Sequence, residues 1–463
     1  MNSSILNELR SIVGKDYVMN EKEDLIIYSN DATMFDHWPD AVVQPASRDE
    51  VAAVVKLAAK NNIPVTGRGA GTALSGGPIP LKGGIVVDMA RMNRILKVDA
   101  VNKIAVVEPG VINYELAVQA GKKGLFYPPD PSSWKESTMG GNVAECAGGP
   151  HGVKYGITRN FVLGLEVVLP DGSVVETGNA VDGEMCGPDW TMLITGSEGT
   201  LGLISAITLR LVVPPVTKKT MVAIYERLED AAKTVSVTMA DGIIPTTLEI
   251  MNDQTIAAVE NYLKIGLPVN AGGLLLVEVD GMPSTVEENA KRVSGICKEC
   301  GAMEVKIAQT AEEVEDLWRA RRSVGAAFGQ VAPSKYSEDS TVPRSRVPEL
   351  IKRILTIQNE YDLPVFICGH AGDGNMHPTI LFDKRDKDAA ARAEKALDEV
   401  HFVTLELEGT LSGEHGIGFA KAPFLKREAG EVGYRLGQDI KRIIDPAGIL
   451  NPGKMFFYEG KLH

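Results

Sequence analysis

Five of the eleven residues from Gly67 to Gly77 (GRGAGTALSGG) are glycine, and they follow directly on the strand-like run IPVT. Glycine lets the backbone turn through conformations closed to other residues, so successive N–H groups can converge on one anion, with Arg68, Thr72 and Ser75 as further donors. Neither Gly67-x-Gly69 nor Gly69-x-Gly71 continues to glycine at the third place of a Rossmann fingerprint. No Gly-Lys precedes Ser or Thr, which excludes a Walker A loop. A second cluster runs from Asp130 to Gly156 (DPSSWKESTMGGNVAECAGGPHGVKYG), and a third, TGSEGTLG, covers Thr195 to Gly202. The second reads as a long loop with little regular structure, and loops of that length in compact domains are usually functional. Three separated glycine segments imply a ligand longer than one phosphate, and an extended dinucleotide fits.

The remaining sequence bounds the setting. The 463 residues suffice for two or three domains of roughly 100–200 residues. Lys plus Arg number 48 against 61 Asp plus Glu, a net charge of −13, which argues against nucleic acid as a partner. Five cysteines without framework spacing fit a reducing compartment. Cys297 and Cys300 have no second pair to complete a metal site and read as ordinary thiols. The N-terminus lacks a basic start followed by an apolar core, and no apolar run approaches the roughly 18–20 residues that span a bilayer. The expected location is cytoplasmic, with no transmembrane segment.

Apolar spacing predicts helices from Ile5 to Val13 and from Glu50 to Ala59, the latter capped by Ser47. Short aliphatic runs after Ile85 read as strands. Pro214 and Pro215 punctuate the chain, after which strand and helix alternate: a strand over Gly273–Asp280, helices over Thr285–Gly301, Ala311–Val331 and Pro348–Tyr361, a strand PVFICGH, and a helix over Asp386–Leu407. The fold class is α+β, divided as 1–215, 216–410 and 411–463.

In Gly369–His377 (GHAGDGNMH), Gly372–Asn375 reads as a hairpin turn that sets His370 beside His377. Two neighbouring imidazoles invite a divalent metal. Glu414, within SGEHGIG, completes a His₂Glu set with open positions, the pattern of a catalytic metal, and His415 is adjacent. Arg319, Arg321 and Arg322 share one predicted helix in DLWRARRS, and a guanidinium suits a carboxylate because its planar fork matches two oxygens.

Together, GRGAGTALSGG, STMGGNVAECAGG with KYGITRNFVLGLEVVLPDG, GSEGTLG, GHAGDGNMH, SGEHGIG and LNPGKM resemble the FAD-linked oxidases of the vanillyl-alcohol oxidase fold. The narrower resemblance is to the D-lactate dehydrogenase and glycolate oxidase catalytic subunit group, from about Asp40 to Met455. It implies a two-part FAD-binding domain, an α+β cap (substrate) domain carrying a metal site, and a C-terminal segment returning to the flavin. Non-covalent FAD would then lie on Arg68, Gly69, Ala70, Gly71, Thr72, Ser75 and Gly76 at the pyrophosphate. Pro131, Ser132, Gly140, Gly141, Asn142 and Gly148 would line the flavin, Gly199 and Ile204 would approach the adenosine side, and Asn451 would reach the isoalloxazine. Some members tether FAD through His or Cys, for which His151 and Cys146 stand in suitable loops, but the narrower group usually does not. The resemblance assigns His370, His377 and Glu414 to one divalent ion (zinc, iron or manganese), His415 as general base, and Arg321, at the W-x-x-R position, to the substrate carboxylate.

The implied activity is oxidation of a small D-2-hydroxy acid, D-lactate before glycolate. Relatives acting on dicarboxylic hydroxy acids carry a lysine shortly before DSTVP, where this chain has Ser337, with Lys335 two residues earlier; a monocarboxylate is therefore expected. With no cluster-ligating cysteines, no haem motif and no nicotinamide fingerprint, electrons are expected to pass to a protein such as an electron-transfer flavoprotein. Two other readings use the same residues: a metal-dependent hydrolase of a phosphorylated substrate, and a non-catalytic flavoprotein subunit.

Overall fold

A computed structural model describes residues 1–180 and 187–457, so Cys186 lies outside the described residues. The described chain forms two compact units: residues 1–148, 157–214 and 414–457 make the first, and 149–156 with 215–413 the second. The chain changes unit after Pro214 and again after Gly413, and the short segment 149–156 belongs to the second.

In the first unit, helix Ser3–Val13 buries Ile5, Leu9 and Val13, one residue per turn on one face, and Asn2 caps it by accepting the Ile5 N–H at 2.9 Å. Helix Arg48–Lys60 starts on Ser47, whose hydroxyl accepts the Glu50 N–H at 3.3 Å, while the Glu50 carboxylate takes the Ala46 N–H at 2.7 Å. Strands Ala41–Val43, Ile85–Asp88 and Val65–Arg68 lie parallel, and their nearly continuous apolar runs suit strands covered on both faces. Leu450 bridges Val65 at the edge of this sheet, so the chain's end completes a layer begun near its start. An antiparallel sheet follows in the order Ile95–Asp99, Ile104–Val107, Leu203–Arg210, Val162–Val168, Val174–Gly178.

Three elements depart from the sequence expectation. The stretch read as loop contains helix Met139–Glu145: Thr138 accepts the Gly141 N–H at 3.3 Å, and Met139, Asn142 and Val143 are buried. Capping and burial there override the low helix propensity of Gly140 and Gly141. The tail holds a helix over Ala422–Ile444, broken at Gly430, where φ is +68°. The single helix expected over Ala311–Val331 is two, Ala311–Arg322 and Val324–Val331, separated at Ser323.

The second unit is built on one antiparallel sheet in the order Ala302–Ile307, Thr217–Tyr225, Gly273–Gly281, Thr247–Asn252, Val365–His370, Asn375–Phe382, Ser334–Ser337, with Ser340–Thr341 also on Asn375–Phe382. Side chains alternate across a sheet and directly paired residues share a face. Glu249 pairs with His370 and with Leu276, His370 with Asn375, Cys368 with His377, and Ser337 with Thr379. One face therefore carries Glu249, His370, His377, Ser337 and Lys335 beside the apolar Met251, Cys368 and Leu381. Ala320, Val324, Ala327 and Phe328 pack with that apolar part, which brings helix Ala311–Arg322 to this face. Among the described residues, no helix is long and apolar enough to cross a membrane.

Candidate functional site

The first unit shapes its glycine segments by close approach. A Cβ on Gly69 would lie 2.2 Å from the Thr138 hydroxyl, one on Gly140 2.6 Å from the Pro109 ring, and one on Gly148 2.9 Å from the Glu414 carboxylate. Gly71 turns with φ +71° over the Arg68 guanidinium, and Gly199 turns with φ +69°. Arg68 Nη1, Ser137 Oγ and Asn142 Nδ2 are buried without a hydrogen-bond partner. Buried donors left unmatched by protein are costly, so this cradle suits a polar ligand. Ser75, Gly76, Pro131 and Ile204 are buried, Thr72, Gly140 and Gly141 half-buried, Ala70 and Ser132 exposed. The Asn451 amide nitrogen donates to the carbonyls of Gly77 at 2.9 Å and Glu198 at 2.7 Å, stitching two glycine segments to the tail. Cys146 is buried, and that burial pushes its thiol pKa up, away from the thiolate a covalent link would need.

Beneath the first loop lies an ionisable cluster that the sequence reading did not pick out. Glu198 accepts the N–H groups of Ile417 and Gly418, both at 2.7 Å, and Asp31 accepts that of Gly76 at 2.9 Å. The Ser75 hydroxyl donates to Glu145, and Lys454 donates to the carbonyls of Gly76 and, at 2.6 Å, Ile79. Burial raises the pKa of Glu145, with the charges of Glu198 and Asp31 adding to it; burial also raises Glu198 and Asp31. Burial pushes Lys454 down to about 7 against the pull of these acids. Lys454→Met should cost about 2–4 kcal/mol, because two buried carbonyls lose their donor. The loss should widen from about pH 5 to about pH 8. Acids whose pKa is raised by folding lose stability as pH rises through the folded value, more so without a cation, while the wild-type lysine, depressed by folding, gains above about 7. Thermal melts of both proteins across that range check this, and a gap that narrowed with pH would contradict it.

In the second unit, His370 and His377 sit diagonally across the hairpin on one face, ring centroids 5.0 Å apart and planes at 86°. His370 Nδ1 lies 2.6 Å from Glu249 Oε1, and His377 Nδ1 lies 3.1 Å from the Glu338 carbonyl oxygen. A carbonyl only accepts, so His377 Nδ1 carries a hydrogen. The Glu249 carboxyl is fully buried; burial pushes its pKa up, but His370 and Arg321 outweigh this and hold it below its ordinary value. Glu249 is thus an anion and His370 Nδ1 also donates, so in the neutral form of either ring the nitrogen left as acceptor is Nε2. Arg321 Nε donates to Glu249 Oε2 at 2.5 Å. Arg321 is 6% exposed, whereas Arg319 and Arg322 face solvent and pair with Asp316 and Glu315.

Asp339 is buried, accepts the Ser412 hydroxyl at 2.8 Å, and offers an oxygen within 4.8 Å of a ring nitrogen of His377. Its signal in the sequence was weak, since acidic residues abound. Glu249 left a clearer one: a lone carboxylate within the buried strand TLEIMN, where an unpaired charge would not be tolerated. Ser337 contacts the Thr379 hydroxyl at 3.1 Å. Lys335 lies one side-chain repeat further along, its pKa lowered by burial. Glu414 and His415 stand in an irregular segment of the first unit, followed by Gly416 with φ +82°.

Residues 39–178 match the family described as FAD binding domain, and residues 214–455 the C-terminal domain of FAD linked oxidases. The chain is 43% identical to the glycolate oxidase subunit GlcD of Bacillus subtilis over 98% of its own length and 96% of that protein's. It is 36% identical to a D-lactate dehydrogenase of Anaerostipes hadrus over 90% of each. The solved structure of p-cresol methylhydroxylase with substrate bound superposes with a TM-score of 0.81 at 20% identity, covering 98% of this chain and 96% of that one. These likenesses bear out the flavin-binding architecture of the vanillyl-alcohol oxidase type, and the chain belongs to the FAD-linked oxidases, a family of flavin-dependent oxidoreductases.

Proposed function

We propose that the protein oxidises a small D-2-hydroxy acid, D-lactate before glycolate, to the 2-oxo acid and passes the electrons to a protein acceptor such as an electron-transfer flavoprotein. The carrying observation is the histidine pair: each ring is held through Nδ1 by an acceptor, which leaves Nε2 of each neutral ring as a ligand nitrogen on one sheet face. With Asp339, which offers an oxygen near His377, they supply nitrogen and oxygen donors of the kind zinc, iron or manganese takes, and the family resemblance would add Glu414. The unmatched donors Arg68 Nη1 and Asn142 Nδ2 likewise suit non-covalent FAD.

When bound, the flavin supplies a hydride acceptor and the metal a Lewis acid that acidifies the substrate hydroxyl. The protein's own part is positional and protolytic. Arg321 holds the substrate carboxylate, its guanidinium oriented through Nε by Glu249. His415 takes the hydroxyl proton on an imidazole nitrogen as hydride leaves the α-carbon. The glycine loops let backbone N–H groups approach the diphosphate. Ser337, in contact with Thr379 instead of offering a second cation, favours a monocarboxylate.

Anaerobic bleaching of the flavin by D-lactate, L-lactate, glycolate and D-2-hydroxyglutarate, each added separately, tests the reading. D-lactate should react fastest. An equal response to D-2-hydroxyglutarate would remove the argument from Ser337, and no response to any of the four would sink the proposal.

A further inference from the structure

We infer that Glu249 is a positioning residue that makes metal retention and substrate-carboxylate recognition depend on one buried anion, an inference that rests on the metal and Arg321 roles proposed above. Glu249 is fully buried between Leu248 and Ile250 in strand Thr247–Asn252. A carboxylate in that setting persists only when its oxygens are matched, and here each has its own donor: His370 Nδ1 on Oε1 and Arg321 Nε on Oε2. The donors come from strand Val365–His370 and helix Ala311–Arg322, 121 and 72 residues along the chain, so no local turn explains the arrangement.

Each bond has a distinct chemical result. By accepting from Nδ1, Glu249 fixes the tautomer in which His370 Nε2 is the ligand nitrogen and raises the ring's basicity, as a carboxylate does behind a metal-bound histidine. By accepting from Nε, it sets the plane of the Arg321 guanidinium, and a planar donor gains specificity for a carboxylate only when its plane is set. A glutamine at this position has the same shape but one accepting oxygen. Its amide N–H₂ must then face one of the two donors, so one of the two functions loses its support.

The test compares wild type with Glu249→Gln and Glu249→Asp, isolated with FAD. Dissociation constants for Zn²⁺ and Mn²⁺ are measured by chelator competition, with metal content by elemental analysis and KM for the 2-hydroxy acid at saturating metal. Glu249→Gln should weaken metal binding about 10–100-fold and raise KM more than it lowers kcat, with flavin content unchanged. Glu249→Asp keeps the charge on a shorter arm and should restore part of both losses. Should Glu249→Gln fail to accumulate folded, Glu249→Asp decides alone, its metal affinity expected below wild type. Wild-type metal affinity and KM in the variants would overturn the positioning role while leaving the metal site standing. A wild-type protein that binds neither ion would overturn the metal reading and this inference together.

Discussion

His415→Ala should slow substrate-dependent flavin reduction by about 10²–10⁴-fold, the usual contribution of a positioned general base. The magnitude follows from the chemistry: a 2-hydroxy acid cannot release hydride from its α-carbon until its hydroxyl proton has somewhere to go, and an alanine offers nowhere. His415 is half-exposed and lies between Glu414 and Gly416 in a segment without helix or strand. Flavin content should stay near wild type, because His415 lies outside the proposed FAD-binding segments. Stopped-flow bleaching with D-lactate under anaerobic conditions gives the rate directly. A variant that bleached at the wild-type rate would assign the proton to another group.

The second large effect is expected at Gly69. Its φ is ordinary, so the restriction is steric: any Cβ would lie 2.2 Å from the Thr138 hydroxyl. That hydroxyl caps helix Met139–Glu145, which carries Gly140, Gly141 and Asn142. Gly69→Val therefore disturbs two of the proposed cofactor-binding segments through one contact. Loss of the cap costs about 1 kcal/mol and relief of the overlap about 1–3 more, which together correspond to roughly a 10²-fold loss of FAD affinity if carried by the bound form. The purified variant should be nearly colourless, and titration of the apoprotein with FAD measures the shift. A fully yellow protein with wild-type affinity would place the cofactor away from this loop.

Both effects concern residues visible in the sequence, and the reason is local. Gly69 belongs to a run whose spacing implies a turn. His370 and His377 flank a hairpin short enough that their adjacency follows from the turn itself. Helix Ser3–Val13 and strand Ile85–Asp88 were legible for the same reason, since periodicity and turn residues act over a few positions. Helix Ala422–Ile444 was not, because Gly430 breaks it, Gly433 and Gly437 lower its propensity, and Val432, Leu436 and Ile443 are exposed apolar side chains that blur the pattern. Helix Met139–Glu145 was hidden by its paired glycines, whose poor propensity is outweighed by a cap and by burial.

Local chemistry written along the chain thus marked out the glycine segments, the paired imidazoles, the arginine-bearing helix and the strand and helix alternation, and the family resemblance singled out Arg321 among the three arginines. Tertiary structure alone decided which acids answer them. Glu249 reaches Arg321 and His370 across intervals of 72 and 121 residues, and Lys454 reaches Gly76 across 378. Asp339 comes beside His377 because a strand and its neighbour pair in one register. Periodicity carries no information over such separations. A buried carboxylate is chosen by whichever donors the packed sheets and helices bring to it, and that selection exists only after the chain has folded.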